Sequence, residues 1–284
     1  MKRIALLSVI VFILMSGCGT PPTAVPPTAV PATAVPPAVL PPTAAPARTL
    51  MVFAAASLTA SFQEIGKAFE AANPGVTVAF NFAGSQSLRT MIEQGAPADV
   101  FASADHKNMD TMVTENLITA GKYQELATNL LVVVMPPQNP AGLQSLQDLA
   151  KPGLKLDLAD ASVPVGNYSR QVLANLSKNP AYGTDFSTKV LANVVSNETD
   201  VKQVVAKVDL GEADVGIVYV TDAIAAPDLK TISIPANFNV IAKYPIAPLA
   251  RSPNADLAAA FVAYVLSPDG QAVLKKWGFS PATP

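Results

Sequence analysis

The sequence predicts an α/β protein, and three observations carry that prediction. From residue 50 onward, short apolar runs alternate with segments whose apolar residues recur at helical spacing. Some of those runs are continuously apolar, as in strands covered by helices on both faces. Hydrophobic residues make up 50 % of the chain and charged residues 14 %, against about 25 % charged in average globular chains. A chain of 284 residues has room for about two domains and a sizeable core. The pattern leaves open whether the strands form one large sheet or two lobes.

The first strand is read over residues 50–56, and Leu58, Phe62, Ile65 and Phe69 then mark one face of a helix. Asn73-Pro74-Gly75 is a turn. Val76, Val78, Phe80 and Phe82 alternate as in a half-buried strand. A helix follows with Leu88, Met91 and Ile92, and Gly95 stops it. A short strand at 98–102, a helix near 109–113 and an apolar strand at 129–135 complete the first half. The second half repeats the grammar: a strand at 154–158, a helix at 168–176 after Val163-Pro164-Val165-Gly166, and a helix with Val201, Val204, Val205 and Val208. Strands at 214–220, 231–234 and 244–249 follow, then two terminal helices, with Trp277 and Phe279 packing on the body.

Residues 1–18 read as an address. Lys2 and Arg3 precede an apolar run at 4–15, too short for a bilayer span of about 20 residues and suited to a signal-peptide core. Met15-Ser16-Gly17-Cys18 then resembles a bacterial lipoprotein box, with Met where Leu is usual. Cys18 is the sole cysteine and the expected lipidation site; an ordinary secretory signal is the plainer alternative. Residues 19–48 form a Pro/Thr/Ala-rich linker with ten prolines and a pentad repeat. As polyproline II it reaches on the order of 85 Å, enough to hold a domain away from a membrane.

Composition excludes several functions. A net charge of −2 argues against nucleic-acid binding. One histidine and one cysteine cannot build a Cys/His metal cage or an intrachain disulfide. Neither G-x-S-x-G nor a phosphate-binding glycine loop occurs. His106 reads as a solvated surface residue, and Asp99, Asp105 and Asp110 as capping and surface charges.

Candidate chemistry gathers where strand ends meet helix starts rich in hydroxyls or amides. These are Ala54-Ala55-Ala56-Ser57-Leu58-Thr59, Phe82-Ala83-Gly84-Ser85-Gln86-Ser87, Val165-Gly166-Asn167-Tyr168 and Asn197-Glu198-Thr199-Asp200-Val201. A helix N-terminus offers unpaired N–H groups and the positive end of its dipole. Several together make a charge-free cage for a tetrahedral oxyanion. Taken singly, such a serine is more often simply an N-cap, and a tyrosine such as Tyr219 more often a half-buried core aromatic.

The same strings, with Gly95-Ala96-Pro97-Ala98-Asp99-Val100-Phe101-Ala102-Ser103-Ala104-Asp105, Gly216-Ile217-Val218-Tyr219-Val220-Thr221-Asp222-Ala223 and Tyr244-Pro245-Ile246, resemble the molybdate-binding proteins of bacterial ABC importers. The resemblance runs in order through essentially everything after the linker. It implies a type II periplasmic-binding-protein fold: two α/β lobes with mainly parallel sheets, joined by two crossing segments. Lobe 1 would comprise 49–126 and 246–284, and lobe 2 would comprise 127–245.

It further implies oxyanion binding by Ser57 and Ser85 through hydroxyl and N–H, by Val165 and Val201 through backbone N–H, and by the Tyr219 hydroxyl. Thr59 and Asn167 are not expected as ligands. The implied ligand is molybdate or tungstate, with no cofactor and no cation site, and the implied partner is a membrane ABC permease. A lipid-anchored, extracytoplasmic monomer that is not an enzyme follows. A binder of another anion such as sulfate, of a ferric ion, a serine-dependent enzyme and a purely structural lipoprotein are the alternatives.

Overall fold

The computed structural model describes residues 47–282; the expected signal peptide, Cys18 and the linker up to residue 46 lie outside them. Ten strands, nine α-helices and two short 3₁₀ helices are found among the described residues. The chain begins β1 (Arg48–Ala55), α1 (Thr59–Ala72), β2 (Val76–Ala83), α2 (Ser85–Glu93), β3 (Val100–Ala102), α3 (His106–Thr114) and β4 (Gln124–Asn129). It continues β5 (Leu131–Met135), β6 (Leu156–Ala159), α4 (Pro164–Ser177), α5 (Phe186–Leu191), β7 (Val194–Glu198), α6 (Val201–Asp209), β8 (Val215–Tyr219), α7 (Val220–Ala225) and β9 (Lys230–Ser233). It closes with β10 (Ala242–Pro248), α8 (Ala255–Leu266) and α9 (Pro268–Lys276).

The strands form two five-stranded sheets, ordered β2-β1-β3-β10-β4 and β7-β6-β8-β5-β9. Two lobes, each with its own sheet, therefore replace the single large sheet that the pattern left open. Each sheet is mixed rather than mainly parallel. Three strands of each, β2-β1-β3 and β7-β6-β8, run parallel. The other two join antiparallel. Strands that enter a sheet straight from a crossing segment need no helical crossover, so they are free to run antiparallel.

The crossings lie a few residues from the boundaries read at 126/127 and 245/246. β4 and β10 form one antiparallel ladder, which carries the first sheet on to Asn129 and resumes it at Ala242. The apolar stretch 129–135 is therefore split, with half-exposed Leu130 between the two sheets. Arg48 belongs to β1, not to the linker, and pairs both guanidinium nitrogens with Asp256 at 2.7 Å.

The register of β1 against β2 sets Ala55 opposite Ala83, so Ser57 and Ser85 leave the sheet side by side. Behind them, α1 lies close on β2, since a Cβ at Gly66 would stand 2.7 Å from the Phe80 ring. Phe62, Phe69 and Phe261 meet edge to face, with Phe69 and Phe261 centroids 5.3 Å apart. Such pairs are worth about 0.5–1.5 kcal/mol each beyond area burial. Rigid packing here holds the carboxyl ends of three parallel strands at fixed spacing.

Other expectations change. The helix read at 168–176 starts at Pro164, because proline suits the first helical position. β4, β7 and the six-residue helices α5 and α7 have no counterpart in the sequence reading. His106 is not free in solvent: its Nε2 lies 2.6 Å from Glu125 and its ring stands on Tyr123. Asp99 is not a surface charge. It is buried and accepts from the Met51 N–H at 2.8 Å and from Ser252 and Asn254. Asp105 caps α3 as expected, accepting from the Asn108 N–H at 3.0 Å.

Asp157 on β6 is fully buried beside Glu198 of β7. Burial, and then the charge of Glu198, push its carboxyl up to about 7. For Glu198, burial acts upward, but Lys207 at 2.6 Å and Ser196 hold it below the usual range. Between its unfolded value of about 3.9 and about 7, native Asp157 keeps a proton that the unfolded chain has released. Stability is therefore lost as pH rises through that window. Asp157→Asn mimics the protonated form, so its melting temperature should fall less between pH 5 and pH 8 than that of the parent. Thermal scans with parallel pH profiles would contradict this.

Candidate functional site

Helix starts from both lobes face one cavity of about 210 Å³, counting its open mouth. Its wall contains Ala55, Ala56, Ser57, Gly84, Ser85 and Ala104 from the first lobe. Val163, Val165, Asp200, Val201 and Tyr219 come from the second. The structure thus brings Ser57, Ser85, Val165, Val201 and Tyr219 into one wall. Thr59 and Asn167, which were set aside, are not part of it. Thr59 Oγ1 donates back to the Ala56 carbonyl at 2.7 Å.

Neither serine acts as a helix cap. Ser57 sits in a 3₁₀ turn, Ala56–Leu58, ahead of α1, and α1 has Leu58 at its N-cap with no side-chain bond. Its hydroxyl lies 2.9 Å from the Tyr244 hydroxyl. Ser85 is the first residue of α2, whose N-cap is Gly84. Its oxygen accepts from the Ala104 N–H at 3.0 Å. A backbone N–H can only donate, so the Ser85 hydrogen remains available to the cavity.

The second lobe offers backbone donors. Pro164 opens α4 without an N–H, which makes Val165 its first residue able to donate, in a turn with no intrahelical acceptor. At α6 the Asp200 carboxylate takes the Lys202 N–H at 2.8 Å and the Gln203 N–H at 3.2 Å. The cap thereby satisfies the second and third N–H groups and leaves that of Val201 for the cavity. Gly166 lets the first turn of α4 lie close against the end of β6, because a Cβ there would meet the Asp160 carbonyl at 2.0 Å.

Tyr219 ends β8 with 1 % of its surface exposed. Its hydroxyl has no hydrogen-bond partner. Burial first, and Tyr244 next, push its phenol far above the usual range, so it stays a neutral donor. An unpaired buried hydroxyl costs about 1–3 kcal/mol, and an acceptor placed in the cavity would remove that cost.

No lysine or arginine lines the cavity. A cation follows Val201 directly in sequence but is absent from the wall. Lys202 Nζ lies 2.9 Å from Asp222, a fully buried carboxylate whose other oxygen accepts from the Tyr219 N–H at 3.3 Å. Burial pushes the Asp222 carboxyl up, with Lys202 opposing it. This pair ties the start of α6 to the start of α7, the two elements that carry Val201 and Tyr219.

The lobes also touch at the rim. Gln86 Nε2 donates to the Thr199 carbonyl at 2.9 Å, and the Ala56–Leu58 turn meets α6. Gly84 makes room for this contact, since a Cβ would stand 2.4 Å from the Thr199 oxygen. The sequence reading missed Gln86, Tyr244, Asp200 and Lys202. Only Asp200 had a legible signal, as a capping residue ahead of an apolar-periodic helix.

Comparison with known proteins agrees with this architecture. The family described as bacterial extracellular solute-binding protein matches residues 50–280. The molybdate-binding protein of Mycobacterium tuberculosis strain H37Rv is 41 % identical over 235 residues, covering 82 % of this chain and 85 % of that one. The molybdate-binding protein of Escherichia coli K12 is 35 % identical over 238 residues, covering 81 % and 88 %. The periplasmic molybdate-binding protein of Azotobacter vinelandii superposes with a TM-score of 0.71 at 21 % identity, covering 82 % of this chain and all of that one. The fold is that of the periplasmic binding proteins. The chain is a binding protein and not an enzyme, and it belongs to the bacterial extracellular solute-binding protein family.

Proposed function

We propose that this chain captures molybdate, and with it tungstate, outside the cytoplasm and delivers it to an ABC importer. One observation carries the reading: neutral donors from both lobes converge on a single cavity whose wall contains no cationic side chain. The hydroxyls of Ser57, Ser85 and Tyr219 and the N–H groups of Val165 and Val201 are the proposed ligands. Relatives named for molybdate binding support the choice of anion. No cofactor is required. The Cys18 lipobox supports an acylated, membrane-tethered monomer, with the proline-rich linker as its stalk.

A dianion without a counter-cation is tolerable in a closed cavity only when its oxygens are fully hydrogen-bonded. Bound between the lobes, it stabilises the arrangement in which both donor sets reach it. Charge and tetrahedral shape are shared with sulfate, so discrimination falls to cavity size and donor spacing. A permease that recognises both lobes at once then reads occupancy as shape.

A tight ligand raises the melting temperature by mass action, by about 4 kcal/mol at a thousandfold excess over Kd. The full chain should therefore gain on the order of 10 °C with molybdate or tungstate, and far less with equal sulfate or phosphate. No shift with any of the four would overturn the reading. Ser85→Ala should weaken molybdate binding by about 5- to 150-fold in titration calorimetry while the chain stays folded, with its unliganded melting temperature lowered because the buried Ala104 N–H loses its acceptor. Unchanged affinity would remove Ser85 from the site.

Closure has its own test. Gly84→Ala places a methyl against the Thr199 carbonyl, so the lobes should approach less closely. Small-angle scattering should then show less compaction on adding molybdate than in the parent, with weaker binding. Equal compaction and affinity would show that this contact does not limit closure.

A further inference from the structure

Of the two cavity serines, Ser57 is the one whose oxygen is not engaged by a backbone N–H. Its partner, Tyr244, is absent from the cavity wall and fully buried. In turn Tyr244 meets Asn129, in the segment where the chain leaves the first sheet. The direction of the hydrogens through this chain of groups can be worked out from its far end.

The Leu130 N–H can only donate, and it donates to Asn129 Oδ1 at 2.9 Å. That contact fixes which way the Asn129 amide faces. Its Nδ2 hydrogens therefore point the other way, to Thr221 Oγ1 at 2.8 Å and to the Tyr244 hydroxyl oxygen at 3.4 Å. The Asn129 amide occupies an acceptor site on the Tyr244 oxygen, which favours Tyr244 as the donor across the 2.9 Å contact to Ser57 Oγ. The Ser57 oxygen is then occupied, and its own hydrogen is free for the cavity. Burial keeps the Tyr244 phenol neutral and able to donate.

We propose that Asn129 and Tyr244 are positioning residues for anion binding: they form a one-way relay that turns the Ser57 hydroxyl hydrogen toward the ligand. The proposal rests on the reading that an oxyanion occupies the cavity. Reversed, the relay would point a Ser57 lone pair at the anion, and that arrangement is repulsive. Each donor in the chain also polarises the next, which strengthens the final bond to a charged acceptor. The relay does for Ser57 what the Ala104 N–H does for Ser85.

Its location adds a consequence. Asn129 ends β4 at the first crossing, and Tyr244 lies two residues past the start of β10, just after the second. A hinge movement that separates the two strands would release the Ser57 hydroxyl to rotate. The donor is therefore set only when both crossings hold the geometry seen here.

A double-mutant cycle on the full chain tests the relay by calorimetric titration with molybdate. Tyr244→Phe keeps the ring that stands edge-on against Tyr219 and Phe279, so it should fold with the parent's melting temperature. It should weaken binding about tenfold, and Ser57→Ala at least as much. Tyr244→Phe added to Ser57→Ala should change affinity by less than twofold, because the relay then has nothing to orient. A merely structural role would instead make the two losses multiply, and that result overturns the proposal, as does parental affinity in Tyr244→Phe. Asn129→Ala provides a second entry to the cycle and should show the same dependence on Ser57. Failure of the parent to bind molybdate, tungstate or sulfate would overturn the functional reading itself, a different result from a parent that binds while Tyr244→Phe matches it.

Discussion

The first turn of an α-helix has N–H groups that the helix itself cannot satisfy. In this protein those turns point inward, from α2, α4 and α6 and from the 3₁₀ turn ahead of α1, at the end of strands that the two cores hold rigid. Everything else at the site follows from how the surplus donors are shared. Asp200 takes the second and third N–H groups of α6 and leaves the first. Pro164 removes one donor and hands the role to Val165. The Ala104 N–H occupies the Ser85 oxygen and frees its hydrogen. What remains is a set of neutral donors with nothing among the described residues to receive them.

Neutral donors suit selectivity as well as binding. A lysine or arginine in the wall would attract any anion, whatever its size. Backbone N–H groups and buried hydroxyls are fixed in place, so an anion gains their full bond energy only when its oxygens reach each of them. The ion pair between part-exposed Lys202 and buried Asp222 fits this scheme. Lys202 meets Asp222 at 2.9 Å, so its charge is paired outside the cavity wall while the pair joins two donor-bearing elements. Removing Lys202 is costly, because Asp222 is then left buried without its partner.

The strand ends that build the site were legible in sequence because the donor residues lie within a few positions of an apolar run that fixes them. Ser57 follows the β1 run and Ser85 follows the alternating Phe80 and Phe82. The resemblance then linked strings that periodicity could not. The groups behind the site were not legible for a physical reason: they meet it through space. Tyr244 reaches Ser57 across 187 positions and Gln86 reaches Thr199 across 113. β7 was missed because alternate residues of Val194–Glu198 are exposed on an outer strand, so no continuous apolar run marks it. The start of α4 was within reach, since a proline at a strand-to-helix junction is a first-turn signal.

The central claim is that uncharged groups from both lobes hold a doubly negative guest with no cation beside it. A crystal structure of the full chain grown with molybdate tests this most directly. The account predicts the metal's anomalous peak in the cavity between the lobes. Its oxygens should lie within hydrogen-bond distance of the Ser57, Ser85 and Tyr219 hydroxyls and of the Val165 and Val201 N–H groups. An anion held elsewhere, or one contacted by a lysine or arginine side chain or by a bound metal cation, would contradict it.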